Sequence, residues 1–247
     1  LVGSEMCIRD SILDGPYSNS AFDIVCKNDK VYMIIGGKDL LNGKRFDKGG
    51  YILTYDYDKW SFIDPKEAQK KLNLPRNPRD YTSIAVTTDD SNDEIVYASS
   101  MGDGVIQYKN GTPVQSYNEK NAFKETAGGY GSGYCYIDGL AFDKNGNLWM
   151  TSSEVNHAVL VLDKAGAWHR LDIEQLRGVY TINDILITST NDKWIYVPRN
   201  TPKLVMIPNS ESLDEVSSYE FTTLIDTDGK ESVSYTHLRA HETRHDL

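Results

Sequence analysis

Apolar residues fall in short runs along this chain, each closed by Asn, Asp or Gly. Phe22-Asp-Ile-Val-Cys26, Val31 to Gly36, Tyr51 to Asp56 and Trp60 to Asp64 form a first group of such runs. A second group is Tyr81 to Val86, Glu94 to Ser100, Gly104 to Lys109 and Val114 to Tyr117. A third is Gly139 to Phe142, Leu148 to Met150, Ala158 to Asp163 and Trp168 to Leu171. A fourth is Asp184 to Thr188, Trp194 to Val197, Lys203 to Ile207 and a last stretch near Tyr219 to Ile225. Runs this short, rich in β-branched and aromatic residues and bounded by turn formers, predict strands. Their middles are continuously apolar rather than alternating, which predicts sheets covered on both faces.

The turn signals agree. Asn110-Gly111 and Asn145-Gly146 predict two-residue hairpins of type I′, whose central residues both need φ > 0. Asn28-Asp29-Lys30 turns the first group. Asp64-Pro65-Lys66-Glu67 predicts the start of a short connecting helix: Asp64 caps it, Pro65 suits its first position and Glu67 completes a capping box. It should run to about Leu72 and stop before Pro75.

Laid over one another, the groups align Ile24 with Ile84, Leu140 and Ile185, and Tyr32 with Tyr97 and Trp149. Four-stranded units repeated in register predict the blades of an all-β propeller. About four blades are recognisable, at the low limit for a closed ring, so a truncated larger ring is the more economical reading.

The two ends change the domain picture. LVGSEMCIRDS at residues 1–11 and VSYTHLRAHETRHDL at 233–247 read as sequencing adapter translated into the open frame, leaving 12–232 as a propeller fragment. His237, His241 and His245 have a spacing that would suggest a metal site on a helix, but it comes from the adapter-like stretch. Cys7 falls there too. Cys26 and Cys135 lie in different blades on strands that are not neighbours, which predicts two free, mostly buried thiols.

A formal net charge of −10 argues against a nucleic-acid partner, since phosphate binding needs clustered Lys and Arg. No apolar run approaches the ~18 residues a spanning helix needs.

Candidate chemistry is sparse. Asp143-Lys-Asn-Gly-Asn147 echoes a calcium loop without its spacing or distal Glu, and reads better as a turn. Gly128, Gly129, Gly131 and Gly133 lack the Lys-Ser/Thr that would make a phosphate cradle, and read as an inter-blade loop. Asp56 and Asp58, beside Trp60, bracket a turn between outer strands. His157 lies in a loop and His169 on an outer strand. No catalytic, metal or cofactor set emerges, so a non-enzymatic protein without cofactor is expected. Asp80, Asp138 and Asn183 each sit just before an innermost strand and are expected to ring the mouth of the central channel as a binding site.

Leu140 to Trp149 resembles the two-component regulator propeller repeat, with its Asp-x-x-Gly-Asn-Leu-Trp core. The other blades depart from it, with Asn28-Asp29-Lys30, Asn92-Asp93-Glu94 and Asn191-Asp192-Lys193 where Gly-Asn stands in the consensus. Gly15 to Asn19, Arg79 to Val86 and Asp103 to Gly111 together resemble the first propeller of the PorZ-like surface proteins of type IX secretion in Bacteroidota. That resemblance implies a non-enzymatic interaction module at the periplasm or outer-membrane cell surface. It also implies a second propeller, a C-terminal sorting domain, and a sortase-like secretion component or a glycan as partner. The competing implication is the periplasmic, ligand-sensing propeller of a hybrid two-component histidine kinase regulator. A propeller lactonase or lyase ranks last, because no acid/base pair or metal set is positioned at the axis.

Overall fold

The computed structural model describes residues 15–40, 42–123, 125, 133–199, 202–214 and 216–222. Both adapter-like stretches, Gly128, Gly129 and Gly131, and the end of the expected last strand lie outside the described residues.

The fold is a β-propeller arc. Blade one is β1 (Ala21–Lys27), β2 (Lys30–Ile35), β3 (Ile52–Asp56) and β4 (Lys59–Ile63), an antiparallel meander in that order. The helix α1 (Pro65–Leu72) follows; the Asp64 carboxylate accepts the Lys66 amide at 2.9 Å, and Asn73 ends the helix in the left-handed region. Blade two is β5 (Tyr81–Thr88), β6 (Glu94–Gly102), β7 (Gly104–Lys109) and β8 (Thr112–Tyr117). Blade three is β9 (Cys135–Phe142), β10 (Leu148–Ser152), β11 (Val159–Leu162) and β12 (Trp168–Leu171). Blade four is β13 (Asp184–Ile187), β14 (Lys193–Val197), β15 (Lys203–Ile207) and β16 (Tyr219–Phe221).

The expected alignment holds to the residue. Ile24, Ile84, Leu140 and Ile185 pair with Met33, Ala98, Met150 and Ile195, and Tyr32, Tyr97, Trp149 and Trp194 each stand one step further along the facing strand. Blades two and three are not separate sheets, however. Met101 and Gly102 at the end of β6 pair with Tyr136 and Cys135 at the start of β9, which joins the two blades.

One turn departs from expectation. Asn145 does not take a positive φ; only Gly146 does, at 85°. The Asp143 amide donates to the Asn147 carbonyl at 2.9 Å and the Gly146 amide to the Asp143 carbonyl at 3.1 Å. This is a three-residue loop closed by a left-handed residue, not a two-residue type I′ turn. The cause is the Asp143 side chain, which accepts the amides of Asn145 and Asn147 at 2.9 and 2.8 Å and so favours the wider loop. The same pair of backbone bonds recurs from Asp89 to Asp93, Asp163 to Ala167 and Thr188 to Asp192. Asn92 (φ 62°) and Asn191 (φ 71°) fill the glycine position in two of these, so blades two and four keep the repeat's turn despite their different letters. True type I′ turns occur at Asn28-Asp29, Tyr57-Asp58 and Asn110-Gly111, where both residues are left-handed.

The core is a series of inter-blade layers. Tyr32, Ile34 and Ile52 meet Ile84 and Ala98 between blades one and two. Ala85 and Tyr97 meet Leu140 and Met150 between two and three, and Trp149 and Val161 meet Ile185 and Ile195 between three and four. Cys135 is buried, and burial pushes its thiol up to about 12; Cys26 is exposed, contrary to the expected burial, because nothing described packs on that side of β1.

Candidate functional site

The site is organised by the loop between β2 and β3, which crosses one end of the arc. Gly36 and Gly37 take φ of 139° and 87°, and a methyl group at Gly36 would come within 2.3 Å of the Tyr81 amide nitrogen. Only glycine permits that approach, and it starts the loop across the mouth instead of back along its own blade.

The loop delivers two cations. Lys38 is buried; its ammonium donates to the Asp138 carboxylate and, at 2.9 Å, to the Ile182 carbonyl, and it lies 4.9 Å from the centre of the Tyr136 ring. The second oxygen of Asp138 accepts the Ser153 hydroxyl at 2.5 Å, while that hydroxyl accepts the Ile182 amide at 2.8 Å. Arg45 donates from Nε to Asp80 at 3.0 Å, and Asp80 also accepts the amides of Asp47 and Lys48 at 3.2 and 2.9 Å. Further out, Asp103 receives Arg76 Nε at 2.8 Å and the Arg79 amide at 3.0 Å.

Burial pushes the Asp138 carboxyl up, to about 6, against the pull of the Lys38 charge and the Ser153 bond. Burial also raises Asp80, while the Lys48 amide and Arg45 draw it back. Both carboxylates are therefore enclosed, hydrogen-bonded charges serving as sockets for cations of the same chain.

This changes the picture of the expected ring. Asp80 and Asp138 are fully buried and Asn183 is half-buried. Asp138 lies within β9, at the register shift facing Thr151 and next to the Ile137–Ser152 pair, not before the strand. Asn183 shares its register position, two residues before Ile185 as Asp138 is before Leu140, and its amide donates to the Tyr196 carbonyl at 2.9 Å. Asp80 is four residues before Ile84; the equivalent position in blade two is Thr82, which bonds Ser99 and the Ile137 carbonyl at 2.9 and 2.6 Å. Sequence reasoning missed Lys38 and Arg45. The signal available was a glycine-flanked loop too long for a hairpin and holding four cations, Lys38, Lys44, Arg45 and Lys48.

The remaining candidates resolve locally. Asp143 accepts Asn147 Nδ2 at 2.9 Å and Trp149 Nε1 at 3.0 Å in addition to the turn amides, which fills it as a cap. Asp58 accepts the Tyr55 hydroxyl at 3.1 Å within its turn. His157 Nδ1 meets Glu125 Oε1 at 2.8 Å, and the other oxygen of Glu125 takes the amides of Asn156 and His157; Glu125 was not foreseen. His169 bridges Asp163 and Asp214. Among the described residues no three His, Cys, Asp or Glu side chains converge as a metal site, and no helix is long and apolar enough to cross a membrane.

No protein-family model matches the chain, and no curated protein matches it. Solved structures do. The chain is similar to PorZ, described as an essential bacterial surface component of the type IX secretion system of Porphyromonas gingivalis, with a TM-score of 0.74 and 19% identity over 90% of this chain and 30% of that one. It is also similar to the extracellular domain of a hybrid two-component system protein from B. thetaiotaomicron, with a TM-score of 0.52 and 14% identity over 85% of this chain and 27% of the other. The chain thus spans under a third of the length of these structures. At these identities the likeness establishes the propeller fold.

Proposed function

We propose that this chain is a non-enzymatic β-propeller interaction module of a cell-surface component of type IX protein secretion. The observation that carries the reading is the likeness to PorZ, at a TM-score of 0.74 over 90% of the chain, against 0.52 over 85% for the sensor domain. The mouth supports a binding role over a catalytic one: its buried carboxylates, Asp80 and Asp138, are committed to Arg45 and Lys38 and are not poised for proton transfer. The partner by this reading is another protein of the secretion apparatus or a surface glycan. It meets the module at the rim of the mouth, around Asn183, where the loop leaves side chains exposed. Residues 12–232 would form part of a larger ring, a reading that the open faces of blades one and four support.

The second reading, a ligand-sensing propeller of a hybrid regulator, draws on the repeat's turn, which three of the four blades share. Sequencing the intact gene across both ends of 12–232 separates the two. The secretion reading expects a second propeller followed by a small β-sandwich sorting domain. A transmembrane helix leading into a histidine kinase would overturn it in favour of the sensor.

A further inference from the structure

At the mouth, beside the Lys38 socket, two buried donors have no acceptor among the described residues: Arg199 Nη1 and Thr181 Oγ1. They belong to one neighbourhood. A methyl group built on Gly43 would lie 2.9 Å from Arg199 Nη1 and 3.4 Å from Thr181 Oγ1, so both donors border the same point of the loop. Thr181 is almost completely buried. The Arg199 guanidinium stacks against Tyr180, 5.3 Å from its ring centre, and Tyr180 is itself exposed and forms the outer rim.

The charge pattern says what is missing. Lys38, Arg45 and Arg76 each have a carboxylate at the mouth, and Arg79 approaches Asp47 at 3.9 Å. Arg199 has no ion-pair partner among the described residues. A water molecule would serve the Thr181 hydroxyl but leave the buried Arg199 Nη1 without a charged acceptor, which is costly. A planar guanidinium edge beside a hydroxyl donor suits an acceptor carrying charge on two oxygens.

We infer that Arg199 and Thr181, with Tyr180 as the outer wall and Gly43 as the floor, form a binding site for a single oxyanion group, a carboxylate or a phosphate. One oxygen takes the Arg199 N–H and the other takes the Thr181 O–H. The Tyr180 ring holds the guanidinium so that its edge faces the ligand. The site goes beyond the function proposed above, because it does not depend on whether the propeller serves secretion or sensing.

The test is a titration of the full chain with sodium acetate and with sodium phosphate, against sodium chloride at matched ionic strength. Melting temperature and, for acetate, saturation-transfer NMR are the readouts. A saturable response to acetate alone assigns a carboxylate, one to phosphate alone assigns a phosphate, and either supports the site. Arg199→Gln should abolish the response, and Arg199→Lys and Thr181→Val should each weaken binding by about tenfold or more, the scale of a charge-assisted hydrogen bond. Circular dichroism establishes that each variant is folded; if Arg199→Gln is not, the other two variants decide. The inference is overturned if all three salts act alike without saturation, or if folded Arg199→Lys and Thr181→Val respond as the parent does.

Discussion

Leu140 and Ile24 occupy the same position of the same repeat and live in opposite surroundings. Leu140 is 5% exposed, as are its equivalents Ile84 and Ile185 at 3% each, whereas Ile24 is 55% exposed. The far end of the arc mirrors this. Trp149 in blade three is sealed against blade four, donates to Asp143 at 3.0 Å and carries Lys193 over its ring at 4.4 Å. Its equivalent in blade four, Trp194, is only half-buried and stacks on Phe221 at 5.5 Å, on a face where Leu186 is 66% exposed. A propeller residue is thus buried by its neighbouring blade and not by its own sheet. The intrinsic pattern of a strand says which side chains are meant for an interface; it does not say whether the interface is filled.

The sharpest way to test that contrast is to make the same change at both kinds of position. Trp149→Ala should cost about 3–5 kcal/mol, since it removes a large, closely packed ring. Trp194→Ala should cost clearly less, because its ring is already partly hydrated. Leu140→Ala and Ile24→Ala should differ likewise, about 2–5 kcal/mol against a change within about 0.5 kcal/mol. Denaturant unfolding with a common slope reads both pairs; equal losses within a pair would show that the outer faces are as well packed as the inner ones.

The mouth offers a second version of the comparison, between charges enclosed by the loop and charges in water. Asp138→Ala strands Lys38 in a buried site and should cost about 3–5 kcal/mol. The paired change Lys38→Met with Asp138→Leu should recover most of that loss, because it removes both charges together. A double variant no more stable than Asp138→Ala would show that the loop is held by something other than this pair.

Smaller effects sit at the surface. Leu186→Lys should lower self-association, read by sedimentation, while leaving the unfolding midpoint nearly unchanged, because the apolar face it interrupts is open. Asn92→Ala should destabilise by about 1–2 kcal/mol through its left-handed backbone, and Asn92→Gly should not.

The smallest is His169, whose pKa is raised by hydrogen bonds to Asp214 and Asp163. A raised folded-state pKa means that its contribution is fully present below the usual histidine value and is lost as pH rises through the folded value. His169→Asn should flatten stability across that window and change nothing above it.

Much of this architecture is legible in the letters. The strands, the helix cap at Asp64 and the register of Ile24, Ile84, Leu140 and Ile185 follow from local pattern, because pleat periodicity and turn chemistry act over a few residues. The turn of the repeat was half-legible. Asp-x-x-Gly marks it plainly in blade three, but Asn92 and Asn191 do the same work under another letter, since Asn also tolerates the left-handed region. Even in blade three, the choice between a two-residue and a three-residue loop was made by the Asp143 side chain, which competes for the amides.

The site was much less legible. Asp80 and Asp138 stand out as acidic residues at the strand entries, but nothing within a few residues shows that Lys38, one hundred positions from Asp138, is the group that meets it. By itself, the sequence determined the strands, the turns and the direction each side chain takes from its sheet, all set by local sterics and hydrogen bonding. The tertiary structure alone decided which apolar faces are covered, which carboxylates are enclosed by the loop, and which donors at Arg199 and Thr181 remain unmatched. Burial and charge pairing are properties of segments brought together by the fold, and no single segment carries them.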